Sequence, residues 1–364
     1  MKKTIRVAAL GGAVALTLAA CGSAPDETPA ASGSAAPAAS DFRACMVSDQ
    51  GGWDDKSFNQ SGFEGLERAG DELGVDTNAV ESTADADYGP NIDSLVQDGC
   101  NYIIGVGFLL EPAIQEAAEA NPDIEFGLID SAFSDDEFNT IELDNAKPLL
   151  FNTAEAAFLA GYVAGATTES GTVATFGGLP IPSVQIFMDG FADGIAQWNE
   201  DSGESVQLLG WDKATQEGQF SGDFETQANG QSITQGFLDQ GADIIMPVAG
   251  PVGLGAAAAV EAAGGTAKLI WVDSDGYEST EYGSIILTSV MKEIGQAVFD
   301  SIGQAADGDF TNEPYVGTLE NEGVGLAPFH DFEDAVPADV QTRIDELREQ
   351  IISGELVVES PNAP

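Results

Sequence analysis

Short apolar segments alternate along this chain with segments whose apolar residues recur at helical spacing. The first of the predicted strands is the short apolar segment Cys45–Ser48. Phe63, Leu66, Ala69 and Leu73 then recur every three or four residues, which is the period of one helix face. The alternation of strand and helix continues along the chain and predicts an α/β protein built on doubly wound parallel sheets.

The strand and helix pattern runs through the chain in two series. In the first series, strands are predicted at 45–48, 79–82, 102–107 and 125–130, and helices at 58–73, 91–97 and 111–120. In the second series, strands are predicted at 172–178, 206–210, 243–248, 268–273 and 285–288, and helices at 148–165, 184–198, 231–240, 255–263 and 292–306. A final helix is predicted over 337–354.

Two similar series of this kind predict two lobes joined by several crossovers. We assign 42–142 plus 286–310 to the first lobe, and 143–285 plus 311–364 to the second. The length of 364 residues suits two lobes of this size. In open parallel sheets, ligands bind at the carboxyl ends of the strands, so the predicted site is the cleft where the two sets of strand ends face each other.

The N-terminus has the features of an export signal. Lys2, Lys3 and Arg6 precede an apolar run over 7–20. That run is shorter than the roughly 20 residues that cross a bilayer, and it suits the apolar core of a signal peptide. Residues 1–20 are therefore predicted to be a signal peptide.

The end of the signal resembles a bacterial lipobox, Leu18–Cys21. This predicts cleavage before Cys21, a lipid on its sulfur, and a protein anchored to the cell membrane on its extracytoplasmic face. Residues 21–40 are rich in Ala, Ser, Pro and Gly and are predicted to form a flexible tether. The alternative is an ordinary secretory signal that is followed by an incidental cysteine.

Two further cysteines, Cys45 and Cys100, each open a predicted strand. Export would place them in an oxidising compartment, where two cysteines can form a disulfide. Parallel neighbouring strands would bring their starting ends side by side. The sequence is equally consistent with Cys45 and Cys100 as two buried free thiols.

Charge narrows the range of partners. The chain has 12 Lys and Arg against 61 Asp and Glu, a formal net charge of -49. Such a surface repels phosphate backbones and anionic headgroups, which excludes nucleic acid and leaves the lipid anchor as the membrane contact. The single histidine, His330, argues against most histidine catalysis and zinc chemistry and is expected to be a surface or packing residue.

Motifs of catalysis are absent from the sequence. There is no Gly-x-Ser-x-Gly, Walker or His-Glu-x-x-His pattern. The segment 250–255 resembles a phosphate loop only in its glycines, and Asp273–Gly276 begins a calcium loop that the following residues do not complete. We therefore expect no enzymatic activity, no cofactor and no metal.

One long motif carries a family resemblance. Ser48–Gln60 resembles the opening motif of the basic membrane lipoprotein family, whose members are purine-nucleoside-receptor-like substrate-binding proteins. Further matching segments follow in the family's order: Phe126–Asp130, Phe176–Pro182, Gly190–Gly194, Asp239–Ile245, Val248–Gly253, Trp271–Asp275 and Leu287–Lys292. The resemblance implies a type I periplasmic-binding-protein fold and the receptor of an ABC importer, which works with permease and ATPase subunits. A monomer is expected.

The resemblance also implies which residues bind the nucleoside base. Phe58 from the first lobe and a phenylalanine from the second would stack on its two faces. The segment 210–224 is longer than in the family, so the second aromatic is either Phe224 or Phe220, and the spacing to Gly230 favours Phe224. Asn59 and Asp130 would read the base edge.

The remaining site residues are assigned to the first loop and to the sugar. Asp49 is a ligand-binding candidate that could instead cap the first loop. Asp273 and Asp275 compete to accept from the ribose hydroxyls, and Asp273 is favoured because it directly ends a strand. Lys292 would supply a donor, and the backbone of Gly250 would approach the sugar.

Two other functions stay open beside the nucleoside receptor. The same receptor could bind a sugar or a signalling molecule that is sensed without transport. A nucleoside hydrolase is a more distant alternative, because its calcium site needs several convergent acids. A ligand that stays chemically intact during incubation separates a receptor from a hydrolase.

Overall fold

The computed structural model describes residues 41–135, 137, 139–264 and 266–364. The predicted signal peptide, the lipidated Cys21 and the tether over 21–40 lie outside the described residues. Within them, two parallel sheets are each covered by helices, and the predicted α/β architecture is confirmed.

The elements alternate as follows along the chain. The strands are β1 (Arg43–Ser48), β2 (Asp76–Val80), β3 (Tyr102–Val106), β4 (Glu125–Ile129), β5 (Phe133–Ser134), β6 (Thr140–Ile141), β7 (Ala146–Phe151), β8 (Thr172–Gly177), β9 (Gln207–Leu209), β10 (Trp211–Asp212), β11 (Glu217–Gly218), β12 (Ile244–Val248), β13 (Lys268–Asp273), β14 (Ile286–Lys292), β15 (Tyr315–Gly317) and β16 (Val324–Leu326). The helices are α1 (Phe58–Leu73), α2 (Tyr88–Gln97), α3 (Glu111–Ala120), α4 (Thr153–Thr167), α5 (Pro182–Ser202), α6 (Gln227–Asp239), α7 (Val252–Ala262), α8 (Gly276–Ser279), α9 (Ile294–Ala306) and α10 (Ala338–Ile352).

Each lobe is organised around one six-stranded sheet. The first sheet has the order β15-β7-β4-β3-β1-β2, and the second has the order β16-β14-β13-β12-β8-β9. Neighbouring strands run parallel except for the pair β14 and β16. The order reverses beside the first strand of each sheet, so the carboxyl ends of the strands form a crevice where ligands bind in such folds.

The sequence prediction of one helix over 148–165 is wrong in its first part. Ala146–Phe151 is the strand β7, and the helix α4 begins only at Thr153. Proline is tolerated at a helix start and also at strand positions that make no ladder bond. The carbonyl of Leu149 accepts from the N–H of Asp130, directly after β4. Pro148 therefore directs its nitrogen toward β15, where pairing begins only at Leu149. The missing N–H of Pro148 therefore costs no ladder bond.

The predicted lobe boundaries differ from the division of the strands between the two sheets. Strand β7 and the short strand β15 belong to the first sheet, whereas β14, which was assigned to the first lobe, lies inside the second sheet. The helix α9 that follows β14 does pack on the first lobe, where Gly65 of α1 and Gly295 meet closely enough that a Cβ on Gly65 would lie 2.4 Å from the carbonyl oxygen of Gly295. The chain thus crosses between the lobes after β7, after β14 and after β15.

A disulfide joins Cys45 and Cys100 in the first lobe. Their Cα atoms are 6.0 Å apart, because Cys45 lies on β1 beside the start of β3, the strand that Cys100 precedes. Both residues are buried. Closing a loop of 55 residues stabilises the folded state by roughly 4 kcal/mol in the chain-entropy account.

Helices α4 and α5 of the second lobe pack closely against each other. Helix α4 is buried along nearly its whole length, and its apolar residues surround the helix on all sides. A Cβ at Gly190 of α5 would lie 2.2 Å from the carbonyl oxygen of Ala154, and one at Gly194 would lie 1.9 Å from that of Phe158. None of the helices in the described part of the chain is long and apolar enough to cross a membrane.

Candidate functional site

A pocket of ≈ 510 Å³ of space free of protein atoms, part of it open to solvent, lies between the two lobes. This volume is in the range of small-molecule sites. We call it the cleft. All eight ligand-binding residues predicted from the sequence line it: Asp49, Phe58, Asn59, Asp130, Phe224, Gly250, Asp273 and Lys292.

Two phenylalanines enter the cleft from opposite lobes. Phe58 is the first residue of α1, and Phe224 lies in the loop that leads to α6. The Phe224 ring rests on Gly178, where an added Cβ would lie 2.2 Å from its Cε1. The alternative, Phe220, does not line the cleft and instead packs edge-on against Trp211 at 6.1 Å.

The amide of Asn59 is held in one orientation at the base of the cleft. Its Nδ2 donates to Asp49 Oδ1 at 2.9 Å and to the carbonyl of Gln50 at 3.2 Å. Its Oδ1 is buried and has no hydrogen-bond partner. A buried acceptor without a partner is costly, so this oxygen is available to an N–H of a bound molecule.

Asp55 is a further acidic residue of the cleft. It caps α1 in place of Ser57, because its carboxylate accepts from the backbone N–H groups of Ser57, Asn59 and Gln60 at 2.9, 2.8 and 3.0 Å. Burial nevertheless raises the pKa of Asp55 above its ordinary value. Asp49 is also buried, and burial raises its pKa well above its ordinary value.

Lys292 joins carboxylates of both lobes at the centre of the cleft. Its Nζ contacts Asp130 Oδ2 and lies 3.6 Å from Asp273 Oδ1. The ammonium also lies 4.7 Å from the centre of the Phe58 ring, within the range of cation–π attraction. Burial raises the pKa of Asp130 although the charge of Lys292 opposes this shift. Lys292 ends strand β14 and does not begin a helix as predicted.

Three non-glycine residues at this site have a left-handed backbone. The φ angles are 61° at Lys56, 67° at Asp130 and 68° at Asp273. Such conformations cost roughly 1–3 kcal/mol each and are found where the surrounding structure enforces them. Asp130 directly follows β4 and Asp273 ends β13, so the unusual backbone turns each carboxylate into the cleft at a strand end.

The two lobes are hydrogen-bonded to each other beside the cleft. Ser57 Oγ donates to the carbonyl of Val272 at 3.1 Å and to Asp273 Oδ2 at 2.8 Å. The carbonyl of Lys56 accepts from Trp271 Nε1 at 3.1 Å. Trp271 of the second lobe thus binds the opening motif of the first lobe.

The competing carboxylate Asp275 has another role. Its Oδ2 pairs with His330 Nε2 at 2.7 Å, and its Oδ1 accepts from the backbone N–H of Tyr277 at 3.1 Å. The His330 ring stacks on Tyr277 at 4.0 Å. Among the described residues, no group of three or more His, Cys, Asp or Glu side chains could hold a metal ion.

Acidic side chains outnumber basic ones among the described residues of the cleft. Among the described residues that line it, four are carboxylates and Lys292 is the sole cation. Residues of the lining that the sequence analysis missed are Gln50, Asp55, Gly107, Phe108, Ile181, Ser183, Val184, Phe187, Val248, Ala249 and Pro251. Most of them directly follow a strand or begin a helix at the carboxyl edge of a sheet, which is the one sequence signal that could have indicated them.

Comparison with known proteins decides the family. The family model described as "ABC transporter substrate-binding protein PnrA-like" matches residues 42–361. The chain belongs to this family. The resemblance stated from the sequence motifs is therefore confirmed, and as a PnrA-like substrate-binding protein of an ABC transporter it works with permease and ATPase subunits.

Two relatives match this PnrA-like protein over nearly their whole lengths. The chain is 29% identical to the "ABC transporter nucleoside-binding protein BmpA" of Lactococcus lactis, over 99% of both chains. It is also 29% identical to the "CD4+ T-cell-stimulating antigen" of Listeria innocua, over 98% of this chain and 99% of that one. A solved ABC transporter solute-binding protein from Aeropyrum pernix has 24% identity and a TM-score of 0.77 over 86% of this chain and 92% of that chain. This similarity confirms the type I periplasmic-binding fold.

Proposed function

We propose that this protein binds a purine nucleoside in the cleft and presents it to an ABC importer. The observation that carries the proposal is the buried Asn59 Oδ1, an acceptor without a partner. It lies in a cleft lined by aromatic rings from opposite lobes, Phe58 and Phe224. A flat base with N–H donors on its edge matches this arrangement, and the Lactococcus lactis relative is named as a nucleoside-binding protein.

The base would be recognised by stacking and by its edge. Phe58 and Phe224 would sandwich it, and stacking of this kind contributes on the order of 1–3 kcal/mol per base in single-strand platforms. Asn59 Oδ1 would accept from one N–H, with Asp49 fixing the amide in the required orientation. Asp130 would accept from another N–H at the same edge.

The sugar would lie toward the end of β13. Asp273 would accept from the ribose hydroxyls, and Lys292, already placed between Asp130 and Asp273, would donate to a sugar oxygen. The backbone at Gly250, whose φ of 51° lets the chain turn toward the cleft, would contact the ribose. The hydrogen bonds of Ser57 and Trp271 between the lobes support a closed form, which we propose is the form that the permease recognises.

Nucleosides should bind at least about a hundredfold more tightly than their monophosphates, which corresponds to about 2.7 kcal/mol. The reason is that a phosphate would enter a cleft in which carboxylates outnumber the single lysine. Phe58→Ala and Asp273→Ala should each weaken nucleoside binding by about tenfold or more. Calorimetry with adenosine, guanosine and inosine measures both effects.

Two matched variants serve as controls for this experiment. Phe299→Ala removes a phenylalanine that packs under Arg68 outside the cleft, and Asp275→Ala removes the carboxylate that pairs with His330. Neither should change affinity. If the parent binds none of the three nucleosides, or if Phe58→Ala and Asp273→Ala bind them like the parent, the proposal fails. Conversion of a bound nucleoside to free base during incubation would favour the hydrolase instead.

We further propose that the protein is a monomer anchored to the extracytoplasmic face of the membrane by a lipid on Cys21. The support is the lipobox-like segment 18–21 that follows a signal-like run. Cys21→Ala should release the protein from the membrane fraction, since the apolar run alone is too short to span the bilayer. Ser23→Ala, which keeps the cysteine, should stay membrane-bound. Membrane retention of Cys21→Ala would contradict the anchor.

A further inference from the structure

A second cavity adjoins the cleft behind Asp130. It encloses ≈ 600 Å³ of space free of protein atoms, part of it open to solvent. We call it the side pocket. It shares Phe108, Asp130 and Ser183 with the cleft, so a molecule held in the cleft can extend into it at this junction.

The walls of the side pocket are mainly apolar and come from both lobes. Leu150 and Phe151 belong to the first sheet, and Pro182 and Ile186 belong to the first turns of α5. Apolar walls favour an uncharged, apolar group because they offer a charged one no compensation for lost hydration. Asp130 at the junction adds a further barrier to anions.

One buried hydroxyl in this pocket has no partner. Thr153 lines the side pocket and is 1% exposed, and its Oγ1 makes no hydrogen bond. Most buried hydroxyls in proteins are paired. The orphan hydroxyl therefore favours a ligand whose extension carries a polar group, such as a hydroxyl, at its far end.

Part of the wall of the side pocket is held in place by side-chain hydrogen bonds. Asn362 and Pro364 line the side pocket, and Asn362 Nδ2 donates to Asp189 Oδ2 at 3.0 Å and to Gln216 Oε1 at 2.8 Å. Asp189 is fully buried. These bonds hold Asn362 in place, so this part of the wall is built into the fold.

We propose that the side pocket accepts a short, apolar substituent on the exocyclic amine of the purine, preferably one that ends in a hydroxyl. The proposal rests on the proposed function, because it takes Asp130 as a reader of the base edge. A substituent at that edge would pass Phe108 and Ser183 into the side pocket, while the ribose stays with Asp273. The predicted ligand class is thus wider than the common purine nucleosides.

Binding of four ligands to the parent protein tests the proposal. They are adenosine, adenosine with an isopentenyl group on its exocyclic amine, the same compound with a terminal hydroxyl on that group, and adenosine with a methylthio group in place of the terminal sugar hydroxyl. We expect the isopentenyl compound to bind as tightly as adenosine within about threefold, and the hydroxylated one to bind more tightly than the isopentenyl one by about threefold or more.

Variants of the side pocket give the matched test. Ala132 lines the side pocket but not the cleft, and it is partly exposed, so Ala132→Phe can fill the space. Ala132→Phe should weaken the binding of the isopentenyl compound and of its hydroxylated form by about tenfold or more. It should leave the affinity for adenosine within about twofold of the parent value. Thr153→Val keeps the shape and removes the hydroxyl, so it should abolish the preference for the hydroxylated compound only. If the thermal midpoint shows that the Ala132→Phe protein does not fold, Ala132→Leu is used in its place.

The outcomes separate this inference from the proposed function. If adenosine binds and the isopentenyl compound binds more than about tenfold more weakly, the side pocket is not a base subsite and the nucleoside proposal stands. If Ala132→Phe weakens binding of the methylthio compound but not of the isopentenyl compound, the side pocket faces the sugar and the inference is overturned. If the parent binds no nucleoside at all, both proposals fall.

Discussion

Lys292→Met is expected to lower the free energy of unfolding by about 3–5 kcal/mol, because it leaves buried carboxylates without their cation. The side chain of Lys292 is 1% exposed, and its partner Asp130 is 8% exposed. Methionine keeps the length of the side chain and its contact with Phe58, so lost charge is the main change. Urea denaturation of the parent and the variant at neutral pH measures the difference.

The pH dependence of this variant has a definite sign. Burial already raises the pKa of Asp130 above its ordinary value of 3.8, and loss of Lys292 should raise it further. The folded state then binds more protons than the unfolded state, so its stability falls as pH rises through the raised pKa and recovers on acidification toward the ordinary value.

Two variants control the Lys292 experiment. Lys268→Met removes a partly exposed lysine at the start of β13 and should cost no more than about 1 kcal/mol. Asp130→Asn combined with Lys292→Met should recover part of the loss, since it removes one uncompensated charge. A Lys292→Met protein as stable as the parent would show that the lysine does not hold these carboxylates.

Gly194→Ala is expected to destabilise the second lobe by about 3 kcal/mol or more, at the upper end of overpacking effects. The added Cβ would lie 1.9 Å from the carbonyl oxygen of Phe158, and this oxygen belongs to the backbone of α4 and cannot rotate away. The helices must separate instead. Because α5 begins with Pro182 beside Ser183 of the cleft, ligand binding should weaken together with the thermal midpoint.

A second helical glycine provides the opposite case. A Cβ at Gly236 of α6 would meet nothing within 4 Å, so Gly236→Ala should stabilise the protein by about 0.4–1 kcal/mol through lower entropy of the unfolded chain. Thermal unfolding of both variants under one set of conditions makes the comparison. Equal effects of the two substitutions would show that close contact between α4 and α5 is not what Gly194 provides.

The cleft residues could be predicted because of where they stand relative to the strands. Asp130 follows β4 and Asp273 ends β13, and parallel sheets place such positions at one edge. The opening motif supplied Phe58 and Asn59 through the family resemblance, and the family model confirms that family. The roles of these residues in binding remain predictions.

Other features could not be predicted, because they depend on contacts between distant segments. Phe224 reaches the cleft and Phe220 does not, since Gly178 leaves room for the Phe224 ring whereas Phe220 packs on Trp211. The sequence predicts a helix where strand β7 lies, because an apolar run that contains Pro148 fits either element until its neighbours β4 and β15 are known.

The sequence by itself determined the alternation of strands and helices and the family, since the first follows from local periodicity and the second from contiguous motifs. Only the tertiary structure decided at which residues the chain crosses between lobes, because strand pairing is set by partners far along the chain. It also decided that Asp130 and Asp273 share Lys292. Asp130 follows a strand of the first sheet and Asp273 ends a strand of the second, so no local pattern encodes their contact with one lysine.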